Sequence, residues 1–211
     1  MSVSPRSYAI AGLSFVAIVL VATYALTRRG GGDDPFADCR TTVLGAGGGQ
    51  IGGPFTLTDE NGAQVTEADV LKGPSLVYFG YTFCPDVCPV DTVRNAEAVD
   101  ILEERGYQVT PVFISVDPRR DTPDVLRDWT DNIHPRMIGL TGTPEQIKAV
   151  AQTYKTVYSV PQDPENDLYT VDHMTMTYLM LPGTGFAEIF ARDVPADRMA
   201  DSVGCFLEKM K

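Results

Sequence analysis

The order of apolar and polar positions divides the chain into three stretches. An uninterrupted apolar run from Tyr8 to Leu26 carries no charge and is closed by Arg28 and Arg29. As a helix, such a run spans about 28 Å, close to the hydrocarbon thickness of a bilayer. It predicts a membrane anchor over residues 1–29. A cleaved signal peptide is the rival, but its apolar region is usually shorter, and the only small-residue exit is Thr23-Tyr24-Ala25. Arg6 and the terminal amine precede the run and two arginines follow it, so flanking charge does not set the orientation. Residues 30–53 are glycine-rich (Gly30–Gly32, Gly45, Gly47–Gly49, Gly52, Gly53) and read as a tether with little structure.

From residue 54 to 211 the pattern becomes that of a folded domain. Phe55-Thr56-Leu57-Thr58 alternates and turns at Asn61-Gly62 into Val65, a hairpin signal. Ser75–Gly80 and Val109–Val116 are short apolar runs of the kind found in strands covered on both faces. Between them, Pro85 to Arg105 turns helical and stops at Gly106. Asp121-Thr122-Pro123 and Thr143-Pro144-Glu145 open two more helices, separated by a strand over Met137–Leu140. Thr175–Leu181 and Phe186–Phe190 predict two strands joined at Pro182-Gly183-Thr184-Gly185, and Pro195–Lys209 a closing helix. Alternating strands and helices with a terminal hairpin give an α/β class, a mixed sheet with helices on both faces.

Composition adds one exclusion. The 211 residues are 44% hydrophobic and 21% charged, with a net charge of −11, which suits a domain with a real core. Residues 1–32 hold three arginines and no acid, so the remainder is more acidic still, with 14 basic against 28 acidic side chains. That body repels nucleic acid and anionic lipid and favours a basic partner.

The chemistry concentrates in Cys84-Pro85-Asp86-Val87-Cys88-Pro89, between a predicted strand and a predicted helix. A helix N-terminus favours thiolate over thiol. At i and i+4 on one helix face the two sulfurs can close a disulfide when oxidised, or chelate a soft ion such as Cu(I) when reduced. A merely stabilising bridge this local would remove little unfolded-chain entropy. Two sulfurs leave a metal exposed, so a third ligand is needed. The chain has two histidines. His173, in Tyr169-Thr170-Val171-Asp172-His173, stands at a loop-to-strand junction and is the candidate ligand; His134, in Asn132-Ile133-His134-Pro135, reads as a solvated loop residue.

Gly80–Pro89, then Ile114–Pro123, then Gly139-Leu140-Thr141-Gly142, then Val171-Asp172-His173 occur in an order that resembles the Sco/SenC family. The resemblance implies a thioredoxin-like fold and a copper protein, held by one N-terminal helix on the outer face of the inner membrane. It implies that Cys84, Cys88 and His173 are the copper ligands. It further implies a role in building the binuclear copper site of cytochrome c oxidase, between a copper donor protein and the oxidase's copper-bearing subunit. The soluble domain would then face the periplasm or the mitochondrial intermembrane space. Where the family usually has a small residue after the histidine, this chain has Met174. Met174, Met176 and Met180 share a face of the predicted strand, as flexible core fillers or, alternatively, as thioethers that help copper enter.

Several alternatives stay open at this level. The site can serve a metallochaperone for Cu(I), with Cu(II) a second state, or a thiol–disulfide oxidoreductase that reduces the oxidase subunit's cysteines. Against the oxidoreductase, three residues separate Cys84 from Cys88 where ordinary reductases have two. By resemblance, Thr175 stands where they place a cis-proline. A peroxide or redox sensor is a weaker third reading, and a closed zinc site asks for a fourth ligand the sequence does not supply. Cys39 and Cys205 either pair with each other or remain free. Asp86 and Asp172, beside the ligands, are either partner-contacting groups or exposed turn residues. Arg119, Arg120 and Asp121 read as a polar loop and helix start without direct chemistry.

Overall fold

A computed structural model describes residues 15–24, 35–40, 50–161 and 168–211. Residues 15–24 form a helix, α1, whose side chains are all exposed. The rest of the apolar run, 8–14 and 25–26, lies outside the described residues, as does 41–49 of the glycine-rich stretch. Among the described residues no helix is long and apolar enough to cross a membrane.

The unit from Cys39 to Lys211 is built where short β-type runs meet capped helices. Strands β1 (Thr56–Asp59) and β2 (Gln64–Thr66) pair antiparallel. Their turn needs Gly62 at φ +81°, a conformation that side chains with a Cβ disfavour. A short helix, α2 (Glu67–Val70), leads to β3 (Ser75–Gly80). Then come α3 (Val87–Glu104), β4 (Thr110–Ser115), α4 (Pro123–Ile133), β5 (Ile138–Thr141) and α5 (Pro144–Thr153). Thr122 and Thr143 cap α4 and α5, accepting the N–H of Val125 and Gln146, and a proline opens each helix where no N–H is needed. After the two-residue strands β6 (Tyr158–Ser159) and β7 (Asp172–His173) come β8 (Thr177–Leu181), β9 (Gly185–Phe190) and α6 (Ala196–Lys209).

The main sheet has the order β2-β1-β5-β4-β3-β8-β9. Its centre, β5-β4-β3, is parallel, and the flanking strands are antiparallel. This is the mixed thioredoxin-like sheet with flanking helices. All six residues of β3 are buried, which requires cover on both faces. Tyr78 reaches Asp91 of α3 on one face, while Phe79 packs at a tilt against Tyr154, at the end of α5, on the other (5.2 Å between ring centroids). Cys39 and Cys205 form a disulfide between residues 166 positions apart. A loop of that length raises the loop-closure contribution to roughly 5 kcal/mol in the chain-entropy account. Ser202 of α6 also donates to the Cys39 carbonyl (3.0 Å), and Arg40 donates to the Ala187 carbonyl on the edge strand β9.

Candidate metal centre

The site forms where β3 runs out and α3 begins. Gly80, the last residue of β3, lies so close to α3 that a Cβ there would sit 3.0 Å from the Cys88 sulfur and 2.8 Å from the Tyr78 ring. The chain turns through Tyr81–Asp86 and enters α3 at Val87. Only Cys88 is in the helix. The expectation that both cysteines share one helix face is therefore corrected, and Pro85 gives the reason: the residue before a proline is driven out of the helical region. Cys84 stays in the turn and points its sulfur back at the helix start, accepting the Cys88 N–H at 3.4 Å.

Both cysteines are reduced and buried, Cys88 completely. Their environments differ. Burial pushes the Cys84 thiol up, but the N–H groups of Cys88, Asp86 and Val87 at the open helix end, with the Cys88 thiol, outweigh it and leave Cys84 below the ordinary thiol range. Cys88 is pushed well up, by burial first and by the neighbouring Cys84 sulfur.

His173 arrives from the other side, on the β6–β7 ribbon, where it pairs with Tyr158. Its Nε2 lies 3.2 Å from Cys88 Sγ and its Nδ1 3.1 Å from the Met174 carbonyl. A carbonyl can only accept, so Nδ1 carries the proton and Nε2 turns its lone pair toward the sulfurs. Burial lowers the imidazole pKa, against the opposing effects of the Met174 carbonyl and Asp91. The rings of Tyr81 and Tyr78 meet His173 edge-on at 5.7 and 6.2 Å. The ligand atoms of Cys84, Cys88 and His173 all fall within 4.8 Å of one another. Two sulfurs and a neutral imidazole nitrogen suit a soft monovalent ion such as Cu(I), and among the described residues the group stops at three donors.

The SCO1/SenC family model matches residues 45–208. The chain belongs to the SCO1/SenC family. It is 52% identical to protein SenC of Rhodobacter capsulatus over its whole length, covering 95% of that protein. It is 42% identical to the mitochondrial SCO1 homolog 1 of Arabidopsis thaliana over 75% of this chain, which is about half (47%) of the plant protein. The copper-bound crystal structure of Arabidopsis ScoI superposes with a TM-score of 0.70 at 40% identity, covering 76% of this chain and 98% of that one. Copper-bound yeast Sco1 gives 0.71 at 33% identity, covering 75% and 89%.

The other residues marked in this SCO1/SenC sequence fall as follows. Asp86 and Asp172 are exposed, and Asp86 contributes its backbone N–H to Cys84. Met174 and Met176 precede β8, while Met180 is in the core; Met174 serves the site through its carbonyl. His134 is not a solvated loop residue but is buried at the end of α4. Its Nδ1 accepts the Arg136 N–H (3.1 Å) and its Nε2 meets Asp100 at 3.3 Å. Asp100, Glu103 and His134 also converge within 4.8 Å, yet the Arg136 guanidinium already sits 2.6 Å from Glu103 and supplies the cation there.

Sequence reasoning missed the weight of the turn after β4. Of Arg119, Arg120 and Asp121, expected as a polar loop and helix start, Arg119 is exposed, but Arg120 and Asp121 are buried, as is Asp117 before them. Asp121 accepts from Ser115 Oγ (2.5 Å), Thr82 Oγ1 (2.6 Å) and the Thr82 N–H (3.1 Å), and burial raises its pKa against these bonds. The available signal was the charge density of Asp117-Pro118-Arg119-Arg120-Asp121 directly after a buried strand. A turn needs no such charge for solubility, and opposite charges three apart can pair.

Proposed function

We propose that the chain is a copper metallochaperone that carries Cu(I) on Cys84, Cys88 and His173 and passes it to the copper-bearing subunit of cytochrome c oxidase. One observation carries the reading: the three donor atoms converge, with Nδ1 of His173 already tied to a carbonyl so that Nε2 is free to bind. Two thiolates and one Cu(I) leave a net charge of −1 at the site. An incoming cysteine can replace the donors one at a time, and the neutral imidazole leaves without separating charge. No redox step is required. The acidic body would steer a basic recipient more than it would tighten the complex. In this reading a donor protein loads the site, and the N-terminal run Tyr8–Leu26 anchors the chain in the inner membrane. The folded domain then faces the periplasm or its mitochondrial counterpart.

The asymmetry of the two thiols favours a second reading. A sulfur below its usual pKa beside a buried partner above it is the arrangement of a dithiol reductant, which would reduce the recipient's cysteines before metal entry. Oxidase assembly in cells carrying His173→Ala at normal protein level, scored beside Cys84→Ser, separates the two. The chaperone reading expects both variants to fail; full assembly with His173→Ala alone would establish the reductase.

A further inference from the structure

The turn between β4 and α4 touches both halves of the metal site. On one side Asp121 holds Thr82, two residues before Cys84, through its hydroxyl and its N–H. On the other side Arg120 and Asp117 hold Tyr169, four residues before His173. Arg120 donates to the Tyr169 carbonyl (2.9 Å), and its guanidinium lies over the Tyr169 ring, 3.6 Å from the centroid. Its Nε pairs with Asp117, and the Tyr169 hydroxyl donates to the same carboxylate at 2.7 Å. Tyr81 continues the chain of contacts: its hydroxyl accepts the Val171 N–H (3.2 Å), its ring lies 5.5 Å from the guanidinium, and it makes a T-shaped contact with the His173 ring.

The segment that carries His173 needs such support. Its own pairing is the two-residue ribbon β6–β7 plus one bond from the Met174 N–H to the Val157 carbonyl (3.0 Å), and an isolated two-stranded ribbon is marginal in water. Leu168, at the start of the segment, is exposed. A planar guanidinium can stack, donate to a carbonyl and pair with a carboxylate at once, which an ammonium cannot.

We propose that Arg120, locked by Asp117 and stacked on Tyr169, is a positioning residue that sets His173 against the cysteine sulfurs. Arg120 touches no donor atom; its guanidinium also lies over the Phe83 ring, 4.9 Å from the centroid, and it reaches His173 through residues 169–173. Its consequence for metal binding rests on the copper reading; the positioning itself is a property of the metal-free chain.

The test uses the reduced full-length chain with Arg120→Met and Tyr169→Ala, each made with and without His173→Ala. Arg120→Met leaves Asp117 buried without its cation and can cost the fold; Tyr169→Ala, at the rim, keeps the test decisive. In the metal-free chain, amide exchange read by mass spectrometry should quicken over residues 169–174 in both variants and stay unchanged in β3 and α3. Cu(I) affinity, by competition with a chromogenic Cu(I) chelator, should fall about tenfold to a hundredfold, as when groups that orient a ligand are removed. It should fall no further where His173 is already alanine, because coupled residues lose their effect together. Unchanged exchange in both variants would overturn the proposal. So would equal losses of affinity with and without His173. If the wild type binds no Cu(I) while exchange still quickens in the variants, the copper reading fails and the positioning role stands.

Discussion

The cysteine arm and the histidine arm of the site are built in opposite ways. Cys88 belongs to the core: it is completely buried on the first turn of an 18-residue helix, against Gly80 of a fully buried strand. Its position is set by the same packing that makes the sheet. His173 is half-buried on a ribbon of two residue pairs and meets the Tyr81 ring, while the residues before it are held by Tyr81 at Val171 and by the turn after β4 at Tyr169. The sulfurs are thus preorganised, and the nitrogen is brought to them. A carrier that must both hold and release its cargo gains from this division, since the weaker arm can open without disturbing the core. Local opening is drawn from the less firmly held segments, and on this chain the histidine arm has the shorter strand pairing, two residue pairs against the six that join β3 to β4.

The largest effect should come from the core arm. Cys84→Ser or Cys88→Ser should weaken Cu(I) binding by roughly a thousandfold, the share of one ligand in a typical structural metal site. His134→Ala, remote from both arms, should leave the affinity unchanged. Competition with a Cu(I) chelator reads all three, and a cysteine variant that kept wild-type affinity would break the comparison at its stronger side.

Packing should separate the arms next. Gly80→Ala forces a methyl toward the Cys88 sulfur and the Tyr78 and Phe113 rings. It should cost about 1–3 kcal/mol of stability as overpacking. Thr170→Ala, at an exposed position on the histidine arm, should stay within about 0.5 kcal/mol. Urea midpoints at unchanged slope measure both. Equal costs would mean that the two arms are equally built into the core.

The arms were also unequally legible in the sequence. The strand before Cys84, the helix after it and the threonine caps Thr122 and Thr143 follow from apolar runs, proline placement and hydroxyl caps, all local signals. The order of the motifs pointed to His173, yet the ribbon that carries it could not be read, because two-residue strands have no periodicity. The four-residue α2 was invisible for the same reason. The burial of His134, Arg120 and Asp121 was not legible because each is satisfied by a partner distant in sequence or across a turn. Charge in a loop looks solvated until its partner is known. The separation of Cys84 from the helix was written in Pro85 and overlooked in favour of the i, i+4 spacing.

A smaller and subtler effect lies within the cysteine arm itself. Cys84 titrates below the ordinary thiol range and Cys88 well above it, so in the reduced, metal-free chain Cys84 becomes the thiolate first as pH rises. Iodoacetamide at neutral pH should label Cys84 and spare Cys88, read by peptide mass spectrometry. Labelling of Cys88 first, or of both at one rate, would contradict the assigned asymmetry.

The central claim is that the weakly held arm completes the copper site. X-ray absorption at the copper edge of the Cu(I)-loaded, reduced chain tests it directly, in the wild type and in His173→Ala. The account predicts one copper per wild-type chain with two sulfur neighbours and one nitrogen, and in the variant a copper bound by the two sulfurs with that nitrogen gone. Identical spectra from the two proteins would contradict it.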